Sequence, residues 1–208
     1  MNTILKIENL SKHFGGLKAV NNCSFEIERN SITGLIGPNG AGKTTTFDLI
    51  TGFLEKTSGK IFLKNEEISD LSAWERAQKG IGRTFQLIRL FPELTVMDNL
   101  LVVLEKNDQS LKRCFFGKKT NMRAKAMEYL ERVNLKEHAR TYAKNLSYGQ
   151  QKLLEIVRAA AMETELLLLD EPAAGVNPTM LRKIENLILE LKNEGKTILI
   201  VEHNMPLD

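Results

Sequence analysis

The chain has 208 residues, 42% of them apolar and 26% charged, a balance that suits one sizeable α/β domain, or a core with a smaller lobe, rather than disorder. Its net charge of +3 gives bulk electrostatics no case for nucleic-acid binding. Two cysteines, Cys23 and Cys114, stand far apart without CxxC spacing or nearby histidines, so free thiols in a reducing compartment are expected, not a disulfide or metal site.

The N-terminal stretch MNTILKIENLSKHF has no signal-peptide h-region, and no segment reaches the roughly 20 apolar residues that a membrane span needs. A cytoplasmic chain is expected, with any membrane role exercised through a partner. Ile4, Leu5, Ile7, then Ala19, Val20, then Phe25, Ile27 recur with a period near two, which predicts antiparallel strands with one buried face. The apolar run Ser31–Ile36 leads into the glycine-rich segment 37–42, and the pattern becomes helical from Lys43 to Ile50. A further strand is expected over Gly59–Leu63.

The middle, from about Leu87 to Met162, reads as mostly helical. Met122, Ala126, Leu130 and Val133 fall on one helical face, and Leu153, Val157 and Ala161 on another. Between them, Glu105–Asn121 is polar and basic around Cys114-Phe115-Phe116-Gly117; a solvated loop and a surface near lipid head groups both remain open. Leu166–Leu169 is an unbroken apolar run, the mark of a strand buried on both faces of a parallel sheet. Asn177 and Pro178 read as N-cap and first residue of a helix with the stripe Leu181, Ile184, Leu187, Ile188, Leu191, ended by Gly195. Thr197–Val201 is a second buried strand. The sum is an α/β core with a helical lobe inserted in its middle.

Gly37-Pro38-Asn39-Gly40-Ala41-Gly42-Lys43-Thr44 matches the phosphate-loop pattern G-x-x-x-x-G-K-[ST] in full. Glycines allow a concave nest of N–H groups, and the helix that follows aims its positive end at the same anion. Lys43 is expected to bridge the β- and γ-phosphates, Thr44 to ligate Mg²⁺ and Thr45 to reach the α-phosphate. Taken alone the loop says only nucleoside triphosphate. At the end of the apolar strand, Asp170 suits Mg²⁺ held through its water shell, and Glu171 suits a general base for the attacking water. Without the phosphate loop, Asp-Glu-Pro would equally read as a strand-end turn.

Shortly before that strand lies Asn145-Leu146-Ser147-Tyr148-Gly149-Gln150-Gln151, readable as a helix start capped by Ser147; such a start is itself an anion site. Gln86 follows Phe85 at an expected strand end, and His203 follows a buried strand. In this order the five segments resemble the nucleotide-binding subunits of ABC transporters, over essentially the entire chain. Tyr148 stands where the family's LSGGQ signature has its first glycine.

The resemblance implies a P-loop NTPase core with an N-terminal antiparallel β subdomain and a helical subdomain over about 87–162, using ATP and Mg²⁺. It implies a head-to-tail pair with a second ATPase subunit, identical or not. Ser147, Tyr148, Gly149 and Gln150 then act on ATP held by the other copy. Gln86 senses the metal and the water, and His203 holds the γ-phosphate and orients the water of Glu171. Phe14 corresponds to the aromatic that stacks on adenine, with Val20 against the sugar; a strand-end core role for Phe14 stays open. Gln86–Leu94 corresponds to a groove for membrane permease subunits, which an extracytoplasmic solute-binding protein supplies indirectly; packing of Leu90 and Phe91 inside the lobe is the competing assignment. No nucleic-acid partner is implied, and the location is the inner face of the membrane.

Phe14–Val20, Arg83–Gln86 with Arg89–Phe91, and Leu146–Gln151 with Asp170–Pro178 are similar to ATPases of bacterial branched-chain amino acid importers. Related subunits serve urea or other amides, and non-transport ABC ATPases share the fold. The usual Ser-Ala-Leu-Asp D-loop is Ala174-Gly175-Val176-Asn177 here. The chain stops five residues past His203, where relatives continue, so the end of the domain is expected to be missing and the burial of Thr197–Val201 is left open.

Overall fold

A computed structural model describes residues 2–106, 118–162 and 164–202. The chain divides into two compact units, one drawn from Met1–Arg83, Thr164–Glu171 and Leu191–Asp208, the other from Thr84–Glu163 and Pro172–Glu190. Cys114 and the rest of segment 107–117 lie outside the described residues.

The first unit holds two sheets. Strands β1 (Thr3–Phe14) and β2 (Leu17–Glu28) pair antiparallel, with Ile7 opposite Phe25 and Phe14 opposite Leu17. The predicted alternation is broken where the register shifts, as between Thr3 and Leu5, so the adjacent Ile4 and Leu5 are both buried. After β3 (Ile32–Ile36) and helix α1 (Lys43–Thr51), β4 (Ser58–Leu63) returns to pair with β1, and the short β5 (Glu66–Glu67) follows, in the order β2-β1-β4-β5.

Helix α2 (Ala73–Gln78) starts from a reciprocal Ser72–Glu75 capping box. Its Arg76 is buried and donates to the carbonyls of Leu49, Ile50, Ser69 and Leu71 at 2.6 to 3.0 Å. A cation thus closes the C-terminal carbonyls of α1, where the helix dipole favours it.

The second sheet is parallel. With β6 (Ile81–Arg83) come β7 (Leu166–Asp170) and β8 (Thr197–Glu202), in the order β3-β8-β7-β6. Interior strands of a parallel sheet are covered on both faces, which explains why β7 is buried throughout and β8 from Thr197 to Val201. The strand whose burial was open from sequence is a central one. Phe47, Leu49 and Ile50 of α1 share one core with Leu5 and Ile7 of β1 and with Leu166 and Leu168 of β7. Burial of Phe47 alone is worth about 1.5 to 3 kcal/mol.

The second unit is helical. Helices α3 (Val96–Lys106), α4 (Lys118–Arg132) and α5 (Tyr148–Ala160) pack on one another. Ala126 and Leu130 of α4 and the following Val133 are buried, as their spacing predicts. Asn99, fully buried on α3, accepts from Phe91 N at 2.9 Å and donates to Phe91 O at 3.1 Å, which fixes the segment before the helix. Helix α6 (Pro178–Asn193) begins in this unit; Asn177 Oδ1 accepts from Met180 N at 2.9 Å, the expected cap. Its stripe of Ile184, Leu187, Ile188 and Leu191 is buried, and Gly195 follows with φ 93°. No helix among the described residues is long and apolar enough to cross a membrane.

Candidate functional site

The loop between β3 and α1 is shaped by backbone more than by side chains. Ala41 N donates to Pro38 O at 3.2 Å, closing a turn, and Gly40 and Gly42 have φ of 82° and 81°. A Cβ on Gly42 would lie 2.3 Å from the carbonyl oxygen of Ala19 on β2, so only glycine fits. As the N-cap of α1, Gly42 brings no side chain across the helix start. Main-chain N–H groups and the positive helix end are thereby left to an anion.

Lys43 is buried, and its Nζ donates to Gly37 O at 2.6 Å and Pro38 O at 2.9 Å, which holds the ammonium at the loop. Thr46 spends its hydroxyl on Gly42 O at 2.9 Å. Asn39, Gly40, Ala41 and Thr44 are exposed, and Thr45 is half-buried. In the same unit, Val20 is buried with Cγ2 close beneath Gly42, while Phe14 at the end of β1 is 48% exposed. Phe14 is not a core residue; its ring lies 5.1 Å from Lys12 Nζ.

Asp170 ends β7 and is buried, opposite Val201 of β8. Arg83 of β6 donates through Nη2 to Asp170 Oδ2 at 3.1 Å and through Nη1 to Asp48 Oδ1 of α1, with its guanidinium 5.7 Å from the Phe47 ring centre. Burial pushes the Asp170 carboxyl up from its ordinary pKa, and Arg83 opposes that shift by hydrogen bond and charge. Glu171 is buried and has φ 48°, a left-handed conformation costing about 1 kcal/mol or more for a residue with a side chain. Its N–H still donates to Val201 O at 3.0 Å, so the chain leaves the sheet one residue past the strand. His203 lies outside the described residues; Glu202 before it is the last residue of β8, opposite Ile36.

Thr44 and Asp170 offer hard oxygen donors, the type Mg²⁺ prefers, and Mg²⁺ shared with phosphates needs only one or two protein groups. The donor set fits that ion. No cluster of three or more His, Cys, Asp or Glu able to hold a metal occurs among the described residues.

The second unit carries the other predicted residues. Ser147 caps α5: its hydroxyl accepts from Gln150 N at 3.4 Å, and Gln150 Oε1 accepts from Ser147 N at 2.9 Å. A Cβ on Gly149 would sit 2.6 Å from Met180 Cγ, and one on Gly175 would sit 3.3 Å from the Tyr148 ring. The signature turn therefore packs on segment 175–180 through two missing side chains. Tyr148 is 47% exposed. β6 stops at Arg83, so Gln86 lies three residues past the strand, on a loop, with its side chain exposed. Leu87 is 81% and Phe91 46% exposed; neither is a lobe-core residue, and Leu90 is half-buried.

Sequence reasoning missed the structural part of Arg83, which it used only as a subfamily marker. Its partners Asp48 and Asp170 lie 35 and 87 residues away, beyond any local spacing rule. Glu155, buried on α5, was missed as well. The apolar stripe of that helix, Leu153, Val157 and Ala161, puts Glu155 on the opposite face, where a charged residue is expected in solvent, so the sequence carried no signal for its burial.

The family model described as ABC transporter matches residues 20–174. The chain is 44% identical over 215 residues to the high-affinity branched-chain amino acid transport ATP-binding protein LivG of Escherichia coli (strain K12), covering 98% of this chain and 83% of that protein. The crystal structure of the ADP conformation of MJ1267, an ATP-binding cassette of an ABC transporter, superposes with a TM-score of 0.86 at 37% identity, over 99% of this chain and 83% of that one. A dimeric post-hydrolysis state of the ATP-binding cassette MJ0796, bound to ADP and Pi, gives a TM-score of 0.84 at 27% identity, over 97% and 88%.

Proposed function

The chain belongs to the ABC transporter family as an ATP-hydrolysing subunit, and from that premise we propose that it powers import of branched-chain amino acids through a membrane permease. The observation that carries the enzymatic part is the first unit itself. One parallel sheet there ends two of its strands in chemistry: β3 runs into a glycine cradle with Lys43, and β7 ends in buried Asp170 and Glu171.

Gly37, Asn39, Gly40, Ala41 and Gly42 lend main-chain donors to the phosphates of ATP. Lys43 leaves its loop carbonyls for the β- and γ-phosphates, and Thr45 takes the α-phosphate. Thr44, Gln86 and, through water, Asp170 would hold Mg²⁺, which would supply charge neutralisation at the phosphates. Glu171 takes a proton from the water whose oxygen bonds to the γ-phosphorus as the bond to the β-phosphate oxygen breaks, leaving ADP and phosphate. His203 completes that water's orientation. Phe14, exposed at the hairpin tip, stacks on adenine, with Val20 on the sugar side.

The chain is a single ABC ATPase domain with a helical lobe at about 87–162. It works as a head-to-tail pair with a second ATPase subunit; MJ0796 is dimeric in its post-hydrolysis state. Ser147, Tyr148, Gly149 and Gln150 close over ATP held by the other copy, the start of α5 offering the N–H groups of Tyr148 and Gly149, which its capping box does not engage. Leu87 and Phe91, exposed beside Gln86, receive the permease at the inner face of the membrane.

Glu171→Gln tests the assignment. It is expected to keep Mg-ATP binding, lose hydrolysis by about 100-fold or more, and form an ATP-dependent dimer in light scattering. Wild-type turnover would remove Glu171 from its role, and absence of any ATP-driven dimer would remove the pairing. Uptake of labelled leucine by vesicles holding the chain with its permease and binding protein tests the solute; uptake of urea alone would overturn it.

A further inference from the structure

Helix α5 begins at the signature turn and carries Lys152, Glu155 and Arg158 three residues apart, hence along one face. That face is given to the main chain around Gln86. Glu155 Oε1 accepts from Arg89 N at 3.1 Å and from Phe85 N at 3.5 Å, one donor on each side of Gln86. Lys152 Nζ donates to Gln86 O at 3.5 Å, and Arg158 Nη2 donates to Arg89 O at 2.5 Å. The Arg89 guanidinium folds back to 3.8 Å from the centre of the Phe85 ring.

Glu155 is 2% exposed, and its Oε2 has no hydrogen-bond partner among the described residues. Such a carboxylate is costly to bury, and its neighbours Leu153, Leu154, Ile156 and Val157 fill the interior without polar atoms. Packing alone does not account for it. The hydrogen bonds Glu155 does make all run to the segment that bears Gln86.

We propose that Glu155 is a positioning residue for Gln86. It pins the chain at Phe85 and Arg89, so that the exposed Gln86 side chain stands on a fixed base. That base is α5, whose N-cap is Ser147. Gln86, which addresses a subunit's own ATP, and the signature, which addresses the other copy's ATP, then shift as one body. The proposal rests on the reading of Gln86 given above.

The test compares Glu155→Ala, Glu155→Gln, Gln86→Ala and the double Gln86→Ala/Glu155→Ala in the full chain. Mg-ATP affinity, steady-state hydrolysis, and amide hydrogen exchange at Phe85 and Arg89 are measured. Glu155→Ala is expected to lower kcat at least tenfold with Kd for Mg-ATP within twofold, and to expose the two amides. Glu155→Gln keeps an acceptor oxygen and is expected to restore most of both. The double variant should be no slower than Gln86→Ala. Wild-type kcat in Glu155→Ala, or a loss that multiplies in full with that of Gln86→Ala, overturns the proposal. A Gln86→Ala variant at wild-type rate instead overturns the reading beneath it. If Glu155→Ala fails to fold, Glu155→Gln decides: near-wild-type kcat with both amides protected supports the pin, and collapsed kcat with both amides protected overturns it.

Discussion

The first unit holds its functional residues by charge and by constrained backbone, whereas the second holds its own by helix capping and by side chains that are missing. Arg83 bridges Asp48 of α1 and Asp170 of β7, and Glu171 turns out of the sheet through a left-handed residue. The signature turn, in contrast, is a Ser147–Gln150 capping box laid against Met180 and Gly175 with glycines at the points of closest approach. The difference follows from where each set of residues sits. Asp170 is buried, and a buried carboxylate has to be held by an opposite charge, which Arg83 provides. The signature turn is exposed, and small residues let it be firmly seated while Tyr148 remains half in solvent.

Breaking each kind of support should have a different signature. Arg83→Met removes the cation that Asp48 and Asp170 share and should cost about 3 to 5 kcal/mol, read from chemical denaturation, together with most of the Mg-ATPase. A loss under 1 kcal/mol would show the ion pair to be dispensable. Gly149→Ala places a methyl against the Met180 side chain, which can yield, so about 1 to 2 kcal/mol is expected. Met180→Ala should restore that loss, and a double variant no better than the single would place the strain elsewhere.

The smallest effect is one of pH. Burial holds the Glu155 pKa above its ordinary 4.5, so the folded chain binds that proton more tightly than the unfolded chain does. Ionised Glu155 therefore costs stability at neutral pH, and the cost is relieved as pH falls through the raised value and levels off below 4.5. Urea midpoints at pH 8 and pH 5 should show wild type gaining on Glu155→Gln at the lower pH. The opposite trend would mean that the Arg89 and Phe85 N–H groups and the nearby cations outweigh burial.

The parts of the molecule that depend on local rules were legible from residues alone. The phosphate loop, the buried run of β7, and the Asn177–Pro178 start and Gly195 end of α6 are set within one turn or one strand, and the structure has them where their spacing places them. Leu90 and Phe91 could not be assigned to core or surface, because a short apolar run carries no information about what covers it. Contacts made across long separations were hidden too. Glu155 meets Arg89 and Phe85 across 66 and 70 residues, and Arg83 meets Asp170 across 87. The left-handed turn at Glu171 was equally out of reach, since glutamate has no preference for it.

Because a side chain on Gly42 would overlap the carbonyl of Ala19, the glycine loop and the β1–β2 hairpin approach each other main chain to main chain. At that point the spacing between loop and hairpin is set by backbone atoms and by the absence of a side chain at residue 42.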